Sequence, residues 1–201
     1  MKTPLRYQMV ERDSGETSLC NCLSFLFERD EMPLELLKMI SAYSNSCYDK
    51  FGNLENNELS RHFMYYTAGW IRTFAKEKKI PLVAKYYVGE DVDLLKIRKC
   101  LLSGGCVNLK AHRQGARHFV TITNMDDEYM YIFDPYLRLN GYYLANSGIA
   151  IANDNPFSFN RKVRIEHFIS ENRVELALGP EEEREAILLV RDDAILQREF
   201  D

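Results

Sequence analysis

The chain has 201 residues, 46% of them apolar, enough for one domain with a sizeable core. A formal net charge of −4 speaks against a nucleic-acid partner and leaves room for acidic surfaces that take basic peptides. No run of about 18 apolar residues is present, so no membrane span is expected. The first residues, MKTPLRYQ, lack the apolar stretch of a secretory signal, and the five cysteines are an odd number; we read them as reduced thiols in a cytoplasmic protein.

From Gln8 to Ser18 a polar, glycine-containing turn runs into an apolar helix that begins near Ser14 and Gly15. Leu19, Cys22, Leu23, Phe25, Leu26 and Phe27 give that helix a thick apolar stripe, suited to burial against a sheet. Arg29-Asp30-Glu31 breaks the pattern, and Pro33 sits in the first turn of a second helix through Leu36, Leu37 and Ile40. Residues 44–58 are turn-rich and read as a loop. A third helix is expected from about Asn57 to Lys79, with Leu59, Phe63, Tyr66, Trp70 and Phe74 at steps of three and four and Pro81 beyond its end. Leu82 to Val88 reads as a strand. Asp91 is placed to cap a fourth helix with Leu94, Leu95, Ile97, Leu101 and Leu102 inward, ending at Ser103-Gly104-Gly105.

Strands then dominate: Cys106 to Lys110, His118 to Asn124, a turn over 125–128, and Tyr129 to Asp134. Residues 137–160 look irregular, 161–168 could be strand or short helix, and Glu185 to Val190 is a last strand. Helices first, strands later and a hairpin between strands predict an α+β domain over 1–201 with N-terminal helices on an antiparallel sheet.

The stretch around Ser14 invites chemistry. The first N–H groups of a helix lack internal partners and its N-terminal end is partly positive, so a nucleophile there would be aimed and its anion stabilised. Gln8, upstream, could offer an amide N–H to an oxyanion. A hairpin turning at 125–128 sets His118 opposite roughly residue 135, beside Asp134, within reach of an imidazole–carboxylate bond. Each residue also has a plain structural reading: Ser14 as a helix N-cap, His118 as a strand-start histidine, Asp134-Pro135 as a strand-ending turn, Gln8 as a surface residue.

Gln8, four residues, Asp13, position 14, Gly15, two residues, Ser18 and Leu19 together resemble the start of the double-glycine leader peptidases, the bacteriocin-processing branch of the papain-like cysteine peptidases. His118-Phe119-Val120 and Asp134-Pro135 match the same family's histidine strand and aspartate. The tail around Asn160-Arg161, Val163, Ala177 to Pro180 and Arg184 resembles stand-alone bacterial members and assigns no chemistry. The resemblance implies a papain-like fold, a peptide substrate, no metal or cofactor, and a site of nucleophile, His118, Asp134 and Gln8. It departs at one place: the nucleophilic cysteine is Ser14 here. An engineered Cys-to-Ser change, a natural relative that binds peptides without cutting them, and a working serine remain open. So does an acyl or amide transferase on the same scaffold. Cys20 and Cys22 lie inside the helix about 200° apart and cannot clamp one metal. Cys47, Cys100 and Cys106 read as loop or core thiols, and no zinc spacing is present. His62 and His112 read as solvent-facing, and His167 shows no partner. Trp70 and Tyr65, Tyr66, Tyr86 and Tyr87 read as core and rim.

Overall fold

Two apolar cores lie on opposite faces of one twisted sheet. The computed structural model describes residues 1–11, 13–44, 61–113 and 116–191. The strands are β1 (Leu82–Val88), β2 (Cys106–Arg113), β3 (Ala116–Met125), β4 (Tyr129–Phe133), β5 (Ile149–Ile151), β6 (Arg161–Arg164) and β7 (Glu185–Arg191). They run in the order β1-β7-β2-β3-β4-β6-β5, every pair antiparallel. The helices are α1 (Ser14–Leu26), α2 (Leu34–Ser44), α3 (Arg61–Lys78), α4 (Leu94–Leu102) and α5 (Ile165–Phe168). The architecture is α+β with the N-terminal helices on an antiparallel sheet, as expected.

Alternation along β2 separates the cores. Cys106 packs with α1, α2 and α3, while Val107, Leu109 and Ala111 pack with α4 and α5. Because helices cover both faces, β2 and β7 are buried along nearly their whole length, and β7 carries an unbroken apolar run from Ala186 to Val190. α1 lies at the centre of the first core and is buried almost all round, as its thick stripe requires. Two of its buried polar residues bond to other segments: the Ser18 hydroxyl meets Thr121 Oγ1 at 3.0 Å, and Asn21 bonds both the N–H and the C=O of Arg6. Asn21 therefore ties the N-terminal segment to α1, and Leu5 N–H to Pro156 C=O and Gln8 N–H to Pro135 C=O extend that segment past the end of β4.

Several expectations need correction. Pro33 precedes α2, where its carbonyl accepts from Leu36 and Leu37. The cap of α4 is Asp93, whose carboxylate takes the Lys96 N–H at 2.7 Å; Asp91 lies in a preceding 3-10 turn and pairs with the Lys96 ammonium. Leu95 and Leu102 are 63% and 76% exposed, because the stripe of α4 is centred on Ile97 and Leu101. A three-residue strand, β5, lies inside the stretch read as irregular. Residues 161–168 form both a strand and a helical turn. The hairpin pairs Thr121 with Phe133 and, past an irregularity between Ile122 and Asn124, Asn124 with Tyr131; the β3–β4 register is therefore one residue off the simple count at Thr121 and two off at Asn124. His112 is buried beneath Gly179, whose positive φ lets bare backbone approach the ring. His167 does have a partner, the Glu175 carbonyl at 2.7 Å. The loop read over 44–58, the first residues of the third helix and Cys47 fall, apart from Ser44, outside the described residues.

Two glycines separate backbone need from open space. A Cβ on Gly105 would lie 2.6 Å from the Leu189 carbonyl and 2.8 Å from that of Cys100, whereas one on Gly69 of α3 would meet nothing within 4 Å. Gly105→Ala should lower stability by about 1–3 kcal/mol or more through overpacking. Gly69→Ala should raise it by about 0.5–1 kcal/mol through helix propensity. Urea denaturation of the two variants checks both signs.

Candidate active site

Ser14 is the first residue of α1. Asp13 precedes it in the N-cap position, but its side chain makes no capping bond. Ser14 does not cap either. It is 5% exposed, and its hydroxyl oxygen accepts the Phe119 N–H of β3 at 3.2 Å. The start of the central helix is thus tied to the residue that follows His118. The first N–H groups of a helix lack partners within it, and the helix dipole favours an anion there.

His118 is 2% exposed, and its Nε2 lies 2.7 Å from Oδ1 of Asp134. An ionised carboxylate only accepts, so Nε2 carries the proton and Nδ1 is the nitrogen left for a second partner. Asp134 lies just past the end of β4 and is 1% exposed. Burial pushes its carboxyl up; the neighbouring His118 ring, the His118 hydrogen bond, Arg161 and the Tyr136 N–H together outweigh burial and hold it below the ordinary carboxylate value. Oδ1 accepts from Tyr136 N–H at 2.8 Å as well as from His118.

Two residues given no role from sequence complete this arrangement. Asn160 grips the Asp134 backbone from both sides, its Oδ1 accepting the Asp134 N–H and its Nδ2 donating to the Asp134 carbonyl, each at 2.8 Å. Arg161 is fully buried, with one guanidinium nitrogen 4.0 Å from Asp134 Oδ2 and bonded to the Tyr136 carbonyl, and the other bonded to the Asn160 carbonyl and Asn153 Oδ1. They reach Asp134 because β6 pairs with β4, setting Arg161 opposite Ile132. In the sequence Asn160-Arg161 stood out only as part of a tail that resembles stand-alone bacterial members; neither their burial nor the strand they join was legible there.

Gln8 lies alongside, through its N–H to the Pro135 carbonyl. Its side-chain amide donates to the carbonyls of Val10 at 2.8 Å and Glu11 at 2.9 Å, which takes up both of its hydrogens. Its Oε1 is buried and has no partner among the described residues. In this arrangement Gln8 turns an acceptor, not a donor, inward. Ser14, His118, Asp134 and Gln8 are thus linked through Phe119 and Pro135; no hydrogen bond joins Ser14 to His118 directly among the described residues.

Cys20, Cys22, Cys100 and Cys106 are buried and unpaired. Burial pushes the Cys20 and Cys100 thiols each up to about 12, the opposite of what a nucleophile needs. Among the described residues no three His, Cys, Asp or Glu side chains converge as a metal site, and no helix is long and apolar enough to cross a membrane.

No family model and no curated protein matches the sequence. Among solved structures, the chain is similar to a protein of Bacillus anthracis described as C39-like peptidase, with 14% identity, a TM-score of 0.47, and coverage of 93% of this chain and 94% of that one. The chemistry of the site rests on its own geometry.

Proposed function

We propose that the whole chain is one papain-like cysteine-peptidase domain that takes peptides, in the manner of the leader-processing branch it resembles, with serine at the nucleophile position. The observation that carries this reading is the Phe119 N–H to Ser14 bond beside the His118–Asp134 pair. It sets a helix N-terminus and a backbone donor at one residue, and that donor belongs to the residue following a carboxylate-held imidazole; these are parts that nucleophilic acyl chemistry uses. With a cysteine at position 14, the thiolate attacks the scissile carbonyl, and N–H groups of the first helical turn receive the oxyanion. His118 then delivers a proton to the departing amine, and water releases the acyl group. Asp134 holds the ring and its tautomer through the cycle. Gln8 joins the oxyanion donors when its amide leaves the Val10 and Glu11 carbonyls. No cofactor enters these steps, and a reducing compartment such as the cytoplasm suits a thiol nucleophile.

A second reading, a relative that binds peptides without cutting them, is favoured by the hydroxyl at position 14 and by the engaged amide of Gln8. A serine is far less acidic than a thiol and forms no ion pair with histidine in such a site.

The protein with Ser14 should show little or no peptidase activity. Ser14→Cys should introduce a thiol of lowered pKa, since the helix N-terminus, the Phe119 N–H and a protonated His118 all favour its anion. Peptide mapping after brief iodoacetamide treatment should find it alkylated at least about tenfold faster than Cys20, Cys22, Cys100 or Cys106, and slower once His118→Ala is added. Equal labelling at all sites, indifferent to His118→Ala, would leave the binding reading in place and remove the enzyme.

Asp134 gives a pH signature. Its folded pKa lies below the ordinary value near 3.9, so its contribution to stability is complete above that value and is lost as pH falls through the lower, folded one. Asp134→Asn should cost roughly 3 kcal/mol at pH 7, because it strands Arg161 without its counter-charge. The gap to the parent protein should narrow from about pH 4 downward. A gap of constant size between pH 7 and pH 3 in urea titrations would contradict a charged Asp134.

A further inference from the structure

A groove of about 690 Å³ lies between α3 and β1, away from Ser14. Tyr65, Tyr66, Trp70, Tyr86 and Tyr87 wall it, and Gly69 opens into empty space. Tyr65 and Tyr66 are 59% and 69% exposed, and the Tyr65 ring meets both Tyr66 and Tyr86 edge-on at 5.5 and 5.8 Å. A rigid aromatic cluster left half in water offers large apolar area at small entropic cost, the usual property of a contact surface. A glycine inside a helix costs about 0.5–1 kcal/mol relative to alanine, and Gly69 touches nothing that would require it.

The groove borders a sheet edge. Among the described residues β1 is the last strand, paired with β7 on one side only. Alternate N–H and C=O groups of its other side point outward, which is the template for an added strand. The charge beside it is positive within a chain of net charge −4: α3 carries Arg61, Arg72, Lys76 and Lys78 against Glu77, and Arg72 and Lys85 line the groove. Among the described residues no carboxylate pairs with Arg72. Lys85 is the middle residue of β1. An acidic strand meets the opposite sign.

We propose that the α3–β1 groove is a peptide-binding site that takes an acidic, extended segment as an added strand on β1. Backbone bonds along β1 supply affinity. The side chains that alternate toward the groove set an apolar residue among the tyrosines and a carboxylate near Arg72. The site stands apart from Ser14 and holds whether or not the chain cuts peptides.

The test is fluorescence anisotropy on the protein as it stands, with fluorescein-labelled Glu-Val-Glu-Tyr-Glu-Val-Glu as the probe. Its counterpart with lysine for every glutamate, and two forms N-methylated at alternate amides in either register, serve as comparisons. The acidic peptide should bind, more weakly as salt rises, and the lysine peptide at least about tenfold more weakly. One methylated register should lose binding and the other keep it, since only one set of amides faces β1. Gly69→Phe, which fills the groove, and Arg72→Glu, on the exposed side of α3, should each weaken binding about tenfold or more, with an unchanged far-UV spectrum, while Gly69→Ala leaves it intact. Absence of binding, equal binding of the lysine peptide, equal binding of both methylated forms, or indifference to both variants would overturn the proposal.

Discussion

A carboxylate with one per cent of its surface exposed has to be neutralised where it stands, and much of this site follows from that demand on Asp134. Removing such a charge from water costs several kcal/mol unless opposite charge and hydrogen bonds replace the water. Here the His118 ring, the Tyr136 N–H and the fully buried Arg161 do so, and Asn160 fixes the backbone from which the carboxylate projects. Three segments distant in sequence are thereby held together: the start of β3, the end of β4 and the start of β6. Arg161 is itself a buried charge, so the two ions constrain one another, and the packing of β6 on β4 becomes a condition for the orientation of His118.

A comparable polar seam crosses the sheet from β3 over to β7 and β1. Glu185, fully buried on β7, accepts from Arg117 of β3 at 2.6 Å and from the Tyr86 hydroxyl of β1 at 3.0 Å. Arg117 adjoins His118, and Tyr86 lines the α3–β1 groove. Buried ionic groups of this kind add little net stability compared with apolar packing, but removing one partner is costly, so they select one arrangement over its neighbours. The seam fixes β1, β7 and β3 in a single register at the end of the sheet nearest Ser14.

What could be read from the sequence divides along the range of the interactions. Elements whose pattern is local were clear: the stripe of α1, the strand from Leu82 to Val88, and the hairpin around Asp126, where the Asp126 carboxylate accepts the N–H groups of Glu128 and Tyr129. The proximity of His118 to Asp134 was also legible, because a hairpin brings both together by short-range rules alone. Partners across the sheet were not. Asn160 and Arg161 reach Asp134 only through β4–β6 pairing, and the position of β7 between β1 and β2 has no local signature. His112 was misread for the same reason, since the Gly179 backbone that covers it comes from a remote segment. The misplaced cap of α4 is a different failure: two aspartates stood within reach of one helix start, and the nearer one, Asp93, took the N–H.

Position 14 remains the sharpest contrast between a side chain and its surroundings. A serine at a helix start ordinarily turns its oxygen back to the N–H groups of its own first turn. Ser14 instead faces β3 and accepts a strand N–H, and the Asp13 side chain before it makes no capping bond. The Phe119 N–H and the dipole of α1 meet at this residue, and a neutral hydroxyl makes little use of the dipole. Its oxygen gains one bond of ordinary strength, on the order of 1 kcal/mol net. An anion in the same place gains the dipole and the charge-assisted form of the bond together. The surroundings are therefore more complementary to a negative charge than to the residue present.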